Sequence, residues 1–131
     1  MGEVKFILDT HTLLWWLFDS PRLSTAARKL VADPSNTIFA SSASAWEIAT
    51  KHRLGKLPEA QVLAQDLGGW FRRAGFVELS VSVAHAQRAG SWPQPHRDPF
   101  DRMIAAQSVI ESLPVIGCDK ALQTFGVRQV W

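Results

Sequence analysis

The sequence has a single cysteine, Cys118, so no internal disulfide can form and a reducing compartment is the default expectation. It has no apolar run near the ~20 residues needed to span a bilayer. The longest such run near the N-terminus, Leu13 to Phe18, falls far short. A secretory signal is missing as well, because the start is not basic and Asp9 interrupts the first apolar stretch. Charge is nearly balanced: 14 basic against 12 acidic residues give +2, too little to announce nucleic-acid binding. The four histidines, His11, His52, His85 and His96, show no zinc spacing and have no cysteine partners. No repeat, low-complexity tract or linker divides the chain. These absences argue against a disulfide scaffold, a membrane protein, a repeat array and a zinc module. The simplest expectation left is a cytoplasmic protein with no membrane partner.

What is present is a chain of 131 residues, 47 % of them apolar. That suits one domain over residues 1–131, with enough apolar material for a sizeable core. Short apolar runs at Val4–Leu8, Thr37–Ala40, Val77–Leu79 and Pro114–Gly117 read as strands, and Val127–Val130 adds a possible fifth. Between them lie helical patterns: Thr10–Phe18, stopped by Asp19-Ser20-Pro21; a helix capped by Ser24; one begun at Ser41, Ser42 or Ser44; Glu59–Ala74; Val83–Ala89; and a long one from Asp98-Pro99 to about Ser112. A short helix follows Asp119. Strands alternating with helices predict an α/β fold with a mostly parallel central sheet of four to five strands and helices on both faces. Such sheets bind ligands beyond the carboxyl ends of their strands.

Four acids stand where they can meet at that edge. Asp9 directly follows the first strand, and Asp119 closely follows the fourth. Glu47 lies in the helix after the second strand, and Asp101 sits in the first turn of the long helix. Each has an ordinary reading. Asp9, Asp98 and Asp119 suit helix caps, Ser44-Ala45-Trp46-Glu47 matches a capping box, and Asp101 favours the positive end of a helix dipole. The joint pattern points further. Asp98 and Asp101, three residues apart, share a helix face. Ala105 and Ser108 below Asp101 are small, as a ligand site needs and a cap does not. A helix beginning at Ser42 would place Glu47 inside it, buried among Trp46 and Ile48 and in need of a partner. Clustered carboxylates raise one another's pKa, and a divalent cation relieves the conflict. Mg²⁺ and Mn²⁺ prefer such hard oxygen donors, and one or two such ions can drive attack on a phosphodiester.

Three stretches carry a resemblance: Phe6-Ile7-Leu8-Asp9-Thr10-His11-Thr12-Leu13-Leu14-Trp15-Trp16, Ser44-Ala45-Trp46-Glu47-Ile48-Ala49-Thr50-Lys51, and His96-Arg97-Asp98-Pro99-Phe100-Asp101-Arg102-Met103-Ile104-Ala105-Ala106-Gln107. In this order they resemble PIN-domain nucleases, most closely the VapC-type toxins of toxin–antitoxin pairs; Cys118-Asp119-Lys120-Ala121-Leu122 fits more loosely. The resemblance implies a three-layer PIN-like sandwich, an endoribonuclease dependent on Mg²⁺ or Mn²⁺, and inhibition by a small antitoxin. It carries the metal-ligand role onto Asp9 and Asp101, with Glu47 and Asp119 as further acids of the site and Asp98 secondary. Two positions depart from the family's pattern. His11 stands where many relatives have a small polar residue, and Gly117-Cys118 where a hydroxyl residue commonly precedes the last acid.

Lys51, Arg53, Arg97 and Arg102 flank the acids, and the expectation is that they hold RNA phosphates, although Lys51 is also placed to pair with Glu47. Adjacent Trp15 and Trp16 point about 100° apart on a helix, so one is expected at a homodimer or antitoxin surface. Two other readings remain. One is a PIN-fold binding module without catalysis. The other is an aspartyl phosphotransferase, because Asp9-Thr10-His11-Thr12 resembles the haloacid-dehalogenase nucleophile motif except at His11, where that motif has a second aspartate.

Overall fold

The first strand is apolar on both faces, which fits a strand covered on both sides. In a computed structural model that describes residues 4–131, this strand, β1 (Val4–Leu8), lies at the centre of a five-stranded sheet. Its neighbours are β2 (Asn36–Ser41) and β4 (Val115–Ile116), with β3 (Val77–Leu79) and β5 (Gln129–Val130) at the edges, in the order β3-β2-β1-β4-β5. Every pairing is parallel, so the mostly parallel sheet of the sequence reading is parallel throughout. The chain winds outward from β1 through β2 to β3, then returns to pair β4 on the other side of β1. That reversal is a topological switch point, and its crevice opens at the carboxyl ends of β1 and β4.

Helices cover both faces. Phe6 and Leu8 of β1 and Ile38 and Ala40 of β2 pack with Leu13 and Leu14 of α1 (Thr10–Leu17), Ala27 of α2 (Thr25–Ala32) and Ile48 of α3 (Ser42–Arg53). Leu63 of α4 (Gln61–Gln65) and Phe71 of α5 (Leu67–Arg73) join them. On the opposite face, Ile7 and Val115 meet Ile104 and Ala105 of α7 (Pro99–Glu111), together with Leu122 and Phe125 of a 3₁₀ segment at Lys120–Phe125. The remaining helix, α6 (Val83–Ser91), lies against α7. Its His85 is buried: Nδ1 accepts from the Ser82 amide, and Nε2 bonds Glu111 at 2.9 Å. No helix among the described residues is long and apolar enough to cross a membrane.

The helix expected over Glu59–Ala74 is divided. A 3₁₀ turn at Pro58–Ala60 leads into α4, and the chain breaks at Asp66 (φ −157°, ψ 69°) before α5. The Asp66 carboxylate accepts from the Gly69 amide at 3.0 Å, so this residue caps α5 instead of continuing α4. The apolar face survives the break, because Leu63 and Phe71 are both buried.

Candidate active site

Asp9, Asp98 and Asp119 each cap the start of a helical segment, and Asp98 thereby sets Asp101 in the first turn of α7. Asp9 leaves β1 and accepts the Thr12 amide at 2.8 Å, capping α1. Asp98 accepts the Phe100 and Asp101 amides and so opens α7, with Pro99 as its first residue. Asp119 follows β4 and accepts the Ala121 amide at 2.9 Å. Glu47 differs. Ser41 caps α3 by accepting the Ala43 amide, so Glu47 lies in the second turn, out of reach of a capping box. The Thr10 and Ser44 hydroxyls bond at 2.9 Å in the interior and tie the start of α1 to α3.

These acids lie within one another's electrostatic reach. Burial raises the Asp101 carboxyl to about 6, helped by the charge of Asp98 and, less strongly, of Glu47 and Asp119; the bond from His96 opposes this. Burial also raises Asp9 above its usual range against the Thr12 amide and the His11 ring, and the Asp119 charge adds to the rise. Asp119, the loosest member of the sequence quartet, is therefore near enough to act on both Asp9 and Asp101. Lys51 lies among the acids. Burial works against its ammonium, but its bond to Glu47 and the charges of Glu47, Asp98 and Asp101 outweigh that and raise its pKa.

Glu47 is 3 % exposed. Its Oε2 pairs with Lys51, while Oε1 is buried with no hydrogen-bond partner. A buried carboxylate oxygen without a partner is costly, and a bound cation or water would satisfy it. Gly117 supplies a second sign. A Cβ placed there would lie 2.2 Å from Asp9 Oδ2, so the absence of a side chain at 117 leaves room for the carboxylate. Among the described residues, no three Asp, Glu, His or Cys groups close on one point as a complete metal cage. A cage is not required, because Mg²⁺ usually takes one or two carboxylates and keeps several waters. Hard oxygens, crowded negative charge and the free Glu47 Oε1 fit such an ion.

The flanking cations divide. Lys51 joins the acids. Arg53, at the end of α3, and Arg97 are exposed and make no ion pair among the described residues. Arg102 departs from the expectation of a phosphate contact. Its guanidinium donates to the carbonyls of Ala89 (2.7 Å), Trp92 (2.6 Å), Gln94 (2.9 Å) and His96 (2.8 Å). With those donors engaged, Arg102 holds the segment between α6 and α7 in place. Sequence reasoning missed the consequence: the held segment brings His96 Nε2 within 3.0 Å of Asp101 Oδ2. Only the position of His96 beside the double-aspartate motif hinted at it, since no periodicity governs that loop.

Comparison with known proteins agrees with this arrangement. A family model described as PIN domain matches residues 6–127. Ribonuclease VapC16 of Mycobacterium tuberculosis is 44 % identical over 79 residues, which is 56 % of this chain and 56 % of that protein, so the match spans little more than half of the relative's length. Among solved structures, VapBC2 from Rickettsia felis, bound to a DNA fragment from its promoter, superposes with a TM-score of 0.70 at 16 % identity and covers 98 % of this chain and 99 % of that one. That likeness is one of fold, and it agrees with the parallel sheet, the switch point and the helices on both faces. With the family model spanning nearly the whole sequence, the chain belongs to the PIN domain family.

Proposed function

We propose that the protein is a divalent-metal-dependent endoribonuclease, the toxin of a toxin–antitoxin pair, acting in the cytoplasm. The observation that carries this reading is the buried, unpartnered Glu47 Oε1, beside acids among which Asp119 acts on both Asp9 and Asp101. The name of the relative, Ribonuclease VapC16, supports the same chemistry.

Asp9 and Asp101 would hold a Mg²⁺ or Mn²⁺ ion, with Asp119 acting on both through its charge. Bound there, the ion supplies Lewis acidity and an activated water for hydrolysis of a phosphodiester. Glu47 Oε1 accepts the proton released as the phosphodiester is attacked. Lys51 pairs with Oε2 and leaves Oε1 as the acceptor. Asp98 shapes the first turn of α7 that presents Asp101. Arg53 and Arg97, exposed and free of ion pairs among the described residues, contact RNA phosphates or an acidic stretch of the antitoxin. Trp46 is 58 % exposed and packs edge-on against Phe100 at 4.6 Å; this apolar rim suits a homodimer contact.

The purified protein is expected to cut RNA only with Mg²⁺ or Mn²⁺ added. Asp9→Asn and Asp101→Asn should each abolish cleavage while circular dichroism stays unchanged. Cleavage in excess chelator, or full activity in either variant, would overturn the reading.

A further inference from the structure

Two cavities meet beside Glu47. The nearer, of about 290 Å³, is walled by Thr10, His11, Glu47, Lys51, Lys56 and Leu57. The second, of about 660 Å³, shares His11, Leu14 and Leu57 with it and continues past Trp15 and Phe18 to Arg22. Together they form one groove between α1 and the chain leaving α3. One end is a catalytic acid flanked by two lysines. The middle carries the rings of His11, Trp15 and Phe18, and the far end is mixed in charge, with Asp19, Arg22 and Glu59.

Of the rings along this groove, His11 and Phe18 are exposed, while Trp15 is half-buried with one side against the core. His11 is exposed and makes no hydrogen bond among the described residues. It stacks on Trp15 with centroids 5.8 Å apart and planes 22° from parallel. Trp15 in turn meets Trp131 at 5.7 Å, and Trp131 is 36 % exposed. Lys56 is exposed and without an ion pair among the described residues, whereas Lys51 is held by Glu47. Cations followed by a flat ring face match a single nucleic-acid strand, in which a charged backbone alternates with flat bases.

We propose that this groove is a base-stacking subsite: the His11–Trp15 ring pair receives one unpaired nucleobase next to the cleaved phosphodiester, and Lys56 takes the adjoining phosphate. The proposal rests on the ribonuclease reading above and adds which residues grip the base. A stacking face accepts every base, so the subsite demands an unpaired nucleotide more than a particular letter.

The test uses Asp101→Asn protein, which binds without cutting, and a fluorescent single-stranded RNA in buffer containing Mg²⁺. Anisotropy titrations compare the intact strand with strands carrying one abasic ribose at each position in turn. One abasic position should weaken binding roughly five- to a hundredfold, the loss of one stacked base. Adding His11→Ala should erase that gap, and His11→Phe should keep it, because a flat ring remains. Lys56→Ala should weaken intact and abasic strands alike. No gap at any position, or a gap that His11→Ala leaves intact, overturns the subsite and leaves the groove as a protein-docking face. If the wild type still cuts RNA with Mn²⁺ in that case, only the subsite is lost. If it cuts no RNA, the ribonuclease reading falls and takes the subsite with it.

Discussion

Burying Asp101 beside Asp98 fixes how the protein responds to pH. Its carboxyl titrates near 6 in the folded state, against 3.8 as the ordinary value. Between those values the native state keeps a proton that the unfolded chain has released, so stability falls as pH rises through this window. The full effect at neutral pH is about 2–3 kcal/mol against the fold. Without metal, Asp101→Asn should therefore raise unfolding free energy at pH 7 by roughly 1–3 kcal/mol, less whatever the His96 bond returns. It should also flatten the fall between pH 4 and pH 6.5, as denaturant titrations at stepped pH would measure. Cleavage should follow the opposite course, rising through pH 6 as Asp101 ionises and can hold a cation. Gly117 makes a second residue-scale prediction. In Gly117→Ala the added methyl meets Asp9 Oδ2 and displaces it, so cleavage should drop by about a hundredfold while the melting temperature moves little. Asp9 and Asp101 were readable in the sequence because each stands at the start of a helix. Glu47 was readable from its place within one. Gly117 was not, since the need for an empty Cβ position there arises only when β4 lies beside β1.

Elements bring these residues to one place, and the segment between α6 and α7 shows how. Arg102, on the first turn of α7, holds that segment by four backbone carbonyls. Lysine has a compact ammonium and cannot reach all four. Arg102→Lys should lower stability by about 2–3 kcal/mol, read from denaturant midpoints. It should also weaken Mn²⁺ binding several-fold in calorimetry, because His96 loses its hold on Asp101. A residue that met RNA directly would leave Mn²⁺ affinity unchanged. The sequence presents Arg102 only as one more cation beside two aspartates, and its partners are carbonyls, which every residue carries. The break at Asp66 escaped for a related reason. The apolar spacing of Leu63, Leu67, Trp70 and Phe71 runs straight through it, and only the Asp66 carboxylate bonded to Gly69 reveals that the helix has restarted.

For the whole molecule, a cation that binds only the folded chain stabilises the fold. If Asp9 and Asp101 hold a cation, Mn²⁺ at a hundred times its Kd should stabilise the protein by about 2.7 kcal/mol. Thermal melts should show that gain in the wild type and lose it in Asp9→Asn. Alternating strands and helices made the fold class legible, and every strand of the sheet was found near its expected place. The order β3-β2-β1-β4-β5 was not legible, because nothing in the pattern of one strand names its neighbour. That order also bears on when the site can exist during synthesis. Asp9 and Asp119 lie 110 residues apart (119 − 9), and β1 must wait for β4 to be made before their pairing can form. A chain that stops before β4 therefore cannot assemble the site, however well β1 and its helix are formed.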